Sequence, residues 1–386
     1  MSAVLTVALV LDRYNPNRGG LEVWTHGFAQ WLVGRGHKVT ILCARAEAEC
    51  PGAAFHPYAP GDGPLARAAN IDAELTRLTF DIVHDMGFAT TGDALQPHTG
   101  SRLVNRAYEN AAMTLRSRWR RKLSPGERRR WRETAILERR QFSDPSRIIA
   151  ISALVRDQIA ARYGLDGTRI AVIRNGIETA RFTSERLAPL RAAARARWRF
   201  GEATVFLLVA NNFLLKGLGT ALQALARLGT GRTGLLLAVA GKGPVGEYSR
   251  LAEKLGVADC VRFLGHVDRI EEAYAAADVA LHPTYHDACS LVTLEEFASG
   301  LPMITTRANG GAELMVSEEQ GFLLDDPRDA QALCAAIARM SDASLRRRMG
   351  EAARQLGQTW TAADNYAAIE NFYEATLAPR PGTSAG

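Results

Sequence analysis

The chain has 386 residues, about two domains' worth, and its 47% hydrophobic and 23% charged residues are ordinary globular usage, which excludes wholesale disorder, collagen-like and coiled-coil architectures. Its apolar runs, such as Val205–Ala210 and Leu235–Ala240, fall far short of the ~20 residues a spanning helix needs, and its five scattered cysteines without a C-x-x-C pair fit a reducing cytoplasm better than a disulfide framework or a zinc site. The net charge of +6 is unevenly placed: residues 116–140 hold eleven Lys/Arg against three Glu, so one stretch carries all the excess positive charge.

The first ten residues lack a basic start and run into Asp12 and Arg13 without a small-residue cleavage site, so they read as a first buried strand and not as a signal peptide. Strand candidates in the first half are Leu5–Leu11, Lys38–Cys43, Ile82–His84, Arg147–Ile151 and Ile170–Ile173. Between the first two, Leu21, Trp24, Phe28, Trp31 and Leu32 recur with the period of an amphipathic helix. The second half repeats the scheme with strands at Val205–Ala210, Leu235–Ala240, Val261–Leu264, Val279–Leu281, Met303–Thr305 and Gly321–Leu324. Helical patterns at Gly246–Leu255 and Ile270–Ala276 lie between them. This alternation predicts an α/β chain of two doubly wound, Rossmann-like domains facing across a cleft, since such sheets bind ligands outside the carboxyl ends of their strands. The expected division is 1–175 and 176–361, with a helix at about 362–378 packing back on the first domain and 379–386 a frayed tail.

Several segments carry chemical signals. Arg18-Gly19-Gly20 lies between the first strand and the first helix, where glycine admits a ligand close to backbone and a helix N-terminus favours anions; a plain turn explains it equally well. Gly241-Lys-Gly-Pro-Val-Gly246 matches a dinucleotide-binding fingerprint. Yet Asp259, at the spacing of the ribose-binding acid, precedes a strand where it should end one, which argues against NAD. In Tyr285–Pro302, Ser290 is a natural N-cap, Leu291–Ser299 a helix and Gly300 its stop. Asp287 then sits at the positive helix end and Glu295 one turn inside, where free N–H groups take a diphosphate and a carboxylate accepts from two ribose hydroxyls. An acidic surface helix is the alternative, for which Glu296 would serve equally. Lys216, where a strand yields to a helix, offers a point charge to phosphate oxygens or only to solvent. His98, in a strand-end loop, can hydrogen-bond a reacting sugar, with His84 and Asp85 as rivals. No D-x-D, G-x-x-x-x-G-K-[ST], G-x-S-x-G or H-E-x-x-H pattern occurs, so a carboxylate-held Mg²⁺ and kinase, hydrolase and zinc-protease chemistries lose their warrant.

Ala252-Glu-Lys-Leu-Gly-Val-Ala-Asp-Cys-Val-Arg-Phe-Leu-Gly265, Ala275-Ala-Ala-Asp-Val-Ala-Leu-His-Pro283, the Asp287…Glu295 spacing and Gly300-Leu-Pro302 together resemble the retaining glycosyltransferases of GT-B architecture, family 4 (group 1). The similarity runs over nearly the whole chain and is strongest from Val205 to Gly311. Within the family it looks closest to the enzymes that add glucose to heptose in the lipopolysaccharide core. The resemblance implies that Gly19 and Gly20 form a glycine loop near the donor diphosphate, that Lys216 neutralises that diphosphate, and that Glu295 holds the ribose. Asp287, with the backbone of Ala288, Cys289, Ser290 and Leu291, would face the transferred sugar and phosphates, and His98 the acceptor side. His98, Asp287 and Lys216 are thereby the expected catalytic residues, with neither metal nor cofactor, the nucleotide sugar being a substrate. Two positions depart from the family. Asp287 stands where the first Glu of E-x₇-E is usual, and Leu214 and Leu215 precede Lys216 where an Arg is usual. One phosphate contact is therefore missing, or another residue such as Arg174 supplies it.

The basic stretch belongs to the acceptor half. Arg116, Arg118, Trp119, Arg120, Arg121, Lys122, Arg128, Arg129, Arg130 and Trp131 fit a surface that meets an anionic membrane or an anionic glycolipid acceptor, each cation contributing ~1 kcal/mol on lipid. RNA binding and a plain solvated helix are the rivals, and Pro125-Gly126 breaks the stretch in two. The expectation is a cytoplasmic enzyme, peripheral on the inner face of the cytoplasmic membrane, moving a sugar from UDP-glucose onto a lipid-linked glycan, with lipopolysaccharide core heptose foremost and no nucleic-acid partner. UDP-GlcNAc, UDP-galactose or GDP-mannose are the alternative donors. A dinucleotide-dependent oxidoreductase and a non-catalytic adaptor are the other classes.

Overall fold

The computed structural model describes residues 3–17 and 19–378, so Arg18 and the expected fraying of 379–386 lie outside the described residues. The chain divides into two units, one of residues 1–105, 115–175 and 362 onward, the other of 106–114 and 176–361.

In the first unit β1 (Thr6–Val10), β2 (Lys38–Cys43), β3 (Ala54–Pro57), β4 (Ile82–Asp85) and β5 (Ala94–Leu95) form a parallel sheet in the order β3-β2-β1-β4-β5. Helices α1 (Gly20–Gly34), α2 (Pro64–Arg77), α3 (Arg102–Ala112), α4 (Leu115–Leu123), α5 (Pro125–Gln141) and α6 (Ala153–Tyr163) follow in chain order, α3 passing into the second unit from Arg106 onward. Trp24, Phe28 and Leu32, one face of α1, bury against Val7, Leu9 and Ile41 of the sheet, which is why the helical period begins straight after the first strand. The candidates at 147–151 and 170–173 shrink to Ile149–Ala150 and Ala171–Val172, which pair with each other in a separate ribbon. The sequence gives no warning of β3, which has no apolar run and ends on Pro57; an edge position tolerates both.

The second unit runs α7 (Ser184–Arg197), β6 (Thr204–Val209), α8 (Leu218–Leu228), β7 (Leu235–Ala240), α9 (Val245–Lys254), β8 (Val261–Gly265), α10 (Ile270–Ala276), β9 (Val279–His282), α11 (Leu291–Ala298), β10 (Met303–Thr306), β11 (Gly321–Leu324), α12 (Ala330–Arg339) and α13 (Ala343–Gly357). Its six strands are parallel in the order β8-β7-β6-β9-β10-β11. β7 is buried at every residue, as a strand covered on both faces must be. Gly241 explains the dinucleotide-like pattern: it has φ +122°, and a Cβ there would overlap the Ala210 carbonyl. That glycine serves close packing of two strand ends, and Asp259 lies exposed on a turn before β8.

The chain then returns to the first unit as α14 (Ala362–Leu377). Trp24 donates its indole N–H to Asn365 at 2.8 Å, Arg35 and His37 contact Glu370, and His84 Nδ1 lies 2.6 Å from the Tyr373 hydroxyl. No described helix is long and apolar enough to cross a membrane.

Candidate functional site

In the second unit the strand order reverses between β6 and β9. At such a reversal the loops leaving two neighbouring strands diverge and leave room for a ligand outside their carboxyl ends. Those loops are Ala210–Gly217 and Pro283–Ser290, and they are tied together. The Tyr285 N–H and the Thr284 hydroxyl both donate to the Leu215 carbonyl, at 2.7 and 2.9 Å. Gly217 has φ +72°, and a Cβ there would overlap the Pro283 carbonyl. A third loop, after β10, joins them: Asp287 N–H donates to Ala308 at 2.9 Å, and Gly310 N–H to the Asp287 carbonyl at 2.8 Å.

This convergence places the Lys216 ammonium on Asp287. The other donors to Asp287 are the Ser290 N–H and hydroxyl, both at 2.9 Å. Burial alone would raise the Asp287 carboxyl, but Lys216 and Ser290 outweigh it and hold it below its ordinary range. Ser290 does occupy the N-cap position of α11, but its hydroxyl turns to Asp287 and makes no side-chain cap, contrary to the cap expected of it. The first turn of α11, beginning at Leu291, therefore keeps its positive end uncapped by a side chain, beside a lysine.

Glu295, one turn along, accepts a hydrogen bond from the Tyr274 hydroxyl at 2.6 Å. Burial pushes its carboxyl up to about 7, against the pull of Tyr274 and of Arg181. Glu296 is fully buried and sits 2.8 Å from His282 Nε2, which removes the exposed acidic helix as a reading of this segment. Ala288 and Cys289 are buried in the loop that leads to α11. Lys216, Asp287, Ala288, Cys289, Ser290, Leu291 and Glu295 are thus all at one end of one sheet.

Gly19, Gly20 and His98 belong to the first unit. Gly19 is extended at φ −172°, a conformation open to any residue, and heads α1 without a side-chain cap. His98 packs on Trp24 of the same helix with ring centroids 4.6 Å apart. Burial lowers its pKa to about 3, so it is a neutral imidazole, and its Nε2 is buried without a partner. Of its rivals, His84 is fully buried against Tyr373, and Asp85 accepts from the N–H groups of Gly87 and Phe88 at 3.0 and 2.7 Å. Both are framework.

The basic stretch divides at Ser124 into α4 and α5, as Pro125-Gly126 implies. Arg116, Arg118, Arg120, Arg121 and Lys122 lie on α4 with Trp119, which is 62% exposed. Arg128, Arg129, Arg130 and Trp131 lie on α5, where Trp131 is half-buried with its indole N–H 2.9 Å from Glu127. Trp131 therefore does not share the exposure of Trp119. Among the described residues no group of three His, Cys, Asp or Glu could hold a metal.

Three residues at the second-unit site carry no motif. Tyr274 and Arg181 face Glu295, and Tyr108 stacks on His286 at 4.9 Å and 18°. A tyrosine alone among alanines on α10 is the only hint the sequence offers for the first.

Residues 191–356 match the family model "Glycosyl transferases group 1", and residues 18–181 match "Glycosyltransferase Family 4". Lipopolysaccharide glucosyltransferase WaaG of Escherichia coli K12 is 31% identical over 60% of this chain and 63% of its own length. A D-inositol 3-phosphate glycosyltransferase of Geodermatophilus obscurus is 32% identical over 68% of this chain and 61% of its own. The chain thus spans less than two thirds of the length of these curated relatives. The crystal structure of WaaG superposes with a TM-score of 0.79 at 25% identity, over 97% of this chain and 100% of that one. Anabaena HepE, solved in complex with UDP-glucose, shares the fold at a TM-score of 0.72 and 16% identity, over 96% of this chain and 100% of that one. The two family models together span most of the sequence and solved GT-B enzymes share its fold from end to end: the chain belongs to the family 4 (group 1) glycosyltransferases.

Proposed function

We propose that the chain moves a sugar, glucose from UDP-glucose foremost, onto a hydroxyl of a membrane-linked glycan, with lipopolysaccharide core heptose the favoured acceptor. The observation that carries this reading is the convergence of Lys216, the uncapped first turn of α11 and Glu295 at the β6/β9 reversal. In this reading Glu295 holds the ribose and Lys216 turns from Asp287 to the donor diphosphate. With the α11 N–H groups it stabilises the charge that builds on the departing diphosphate, so that neither a bridging metal nor a cofactor is required. Asp287, with its oxygens committed to Lys216 and Ser290, sets the position of the lysine and of the helix end. His98, neutral and with a free ring nitrogen, serves as a hydrogen-bond partner on the acceptor side. The sugar keeps its anomeric configuration, with attack from the leaving-group face and no covalent enzyme intermediate. The glucosyltransferase name of WaaG and the UDP-glucose bound by HepE support the choice of donor.

The same proposal seats the enzyme peripherally on the inner face of the cytoplasmic membrane. Leu115, Trp119 and Leu123 recur every fourth residue along α4 and are 72%, 62% and 65% exposed, with five cations between them. An apolar stripe flanked by Lys and Arg suits a helix lying in an anionic lipid surface.

The test is turnover of UDP-glucose in Glu295→Ala and Lys216→Ala. Each should fall tenfold or more, and full activity in both contradicts the assignment of the site.

A further inference from the structure

The strand order of the first unit also reverses, between β1 and β4, and residues that follow those strands, Asp12 and Phe88, line a cavity of about 590 Å³. A reversal of this kind is where open parallel sheets hold ligands, and the volume falls within the ~300–1,000 Å³ of small-molecule sites. The rest of the wall comes from α2, the start of α3, and α5, with Arg67, Arg102, Arg129, Arg130 and Trp131 supplying its chemistry.

The charges in this wall are unequally matched. Arg129 is held by Asp62 at 3.1 Å and by Glu133 at 2.8 Å. Arg67 meets Asp12 only at 3.5 Å, and its Nε is buried without a hydrogen-bond partner. The Arg102 guanidinium donates to the Gly87 carbonyl and lies 5.2 Å from the Phe88 ring centre. Among the described residues neither Arg102 nor Arg130 forms an ion pair. With Arg102 and Arg130 outside any ion pair, the wall carries positive charge that no carboxylate matches, which favours a ligand that brings oxyanion oxygens. The carboxylates of Asp12 and Glu133 and the indole of Trp131 add what a sugar ring needs, acceptors for hydroxyls and a flat apolar face.

We infer that this cavity binds an anionic sugar unit of the acceptor glycan, a ring carrying a phosphate or a carboxylate. Arg67, Arg102 and Arg130 take the oxyanion and Trp131 takes the ring. The inference rests on the first unit being the acceptor half, so the experiment measures donor binding separately.

Calorimetric titrations of the full chain with glucose 6-phosphate, galacturonate, glucose, inorganic phosphate and phosphatidylglycerol vesicles give the test. At least one of the two anionic sugars binds tenfold or more tighter than both glucose and inorganic phosphate. Arg67→Gln and Arg130→Gln each weaken that binding fivefold or more while UDP-glucose affinity stays unchanged. Arg130 is exposed, so its variant remains informative should Arg67→Gln fail to fold, which an unfolding midpoint reports. Glucose or inorganic phosphate binding as tightly as both anionic sugars overturns the inference, as does unaltered binding in folded variants. So does binding by vesicles alone, which would assign the arginines to lipid headgroups. A chain that takes the anionic sugar but no UDP-glucose keeps this inference and loses the UDP-glucose reading of the donor site.

Discussion

Asp287 accepts from the Lys216 ammonium and from the N–H and hydroxyl of Ser290. A donor diphosphate must therefore take Lys216 from a carboxylate that already holds it. Asp287→Asn keeps the side-chain shape and the hydrogen bond from Ser290 but removes the competing charge. We expect UDP, which has no sugar to lose contact with, to bind several-fold more tightly to Asp287→Asn in calorimetry. Unchanged or weaker binding would show that the lysine does not serve the diphosphate. Glu295 gives a pH signature. Its carboxyl is pushed up to about 7, and only the ionised form accepts from both ribose hydroxyls. UDP-glucose affinity should therefore rise from pH 6 to pH 8, the profile should move to higher pH in Tyr274→Phe, and it should flatten in Glu295→Gln. Stability runs the other way: because the folded value lies above the ordinary ~4.3, this group's contribution is whole below the unfolded value and lost as pH rises through about 7. The Asp287…Glu295 spacing is legible in the sequence because both residues flank one helix. Tyr274 is not, because its hydrogen bond to Glu295 joins two helices across 21 residues of sequence, and no pattern along the chain records that meeting.

Two elements decide where these residues stand. The turn at Gly217 brings Lys216 to Asp287, and the backbone there is both left-handed and in contact with Pro283. Gly217→Ala should cost about 2 kcal/mol or more through strain and overlap, lowering the melting midpoint by roughly 4–8 °C for a unit of this size. A midpoint within a degree of the wild type would mean the two loops are not locked as described. Helix α4 is the other element, with its exposed stripe at Leu115, Trp119 and Leu123. Vesicles rich in phosphatidylglycerol should retain the chain at low salt and release it at about 0.5 M salt, where screening is short-ranged. Replacing Leu115 and Trp119 by serine should abolish retention without changing the unfolding midpoint. The charge of this segment and its break at Pro125 can be read from the sequence. That Trp119 is exposed while Trp131 lines a cavity cannot, since both stand among arginines and only the docking of α5 on α2 separates them.

Across the whole molecule the alternation of apolar runs with helical periods was enough to foresee two parallel, doubly wound sheets. Strand order is set by packing between segments far apart in sequence, and with it the two reversals that mark the candidate donor site and the arginine-lined cavity. Short edge strands such as Ala54–Pro57 bury too little to leave a pattern. The Gly241–Gly246 fingerprint shows the opposite hazard, a ligand motif whose first glycine is required by the approach of one strand end to the next. The most direct test of the whole account is calorimetric titration of the folded protein with UDP-glucose, UDP-galactose, UDP-GlcNAc, GDP-mannose, ADP-heptose and NAD. The account predicts that UDP-glucose binds well above the others and that Lys216→Ala weakens it tenfold or more. Binding of NAD alone, or of no sugar nucleotide by a chain shown to be folded, would contradict it.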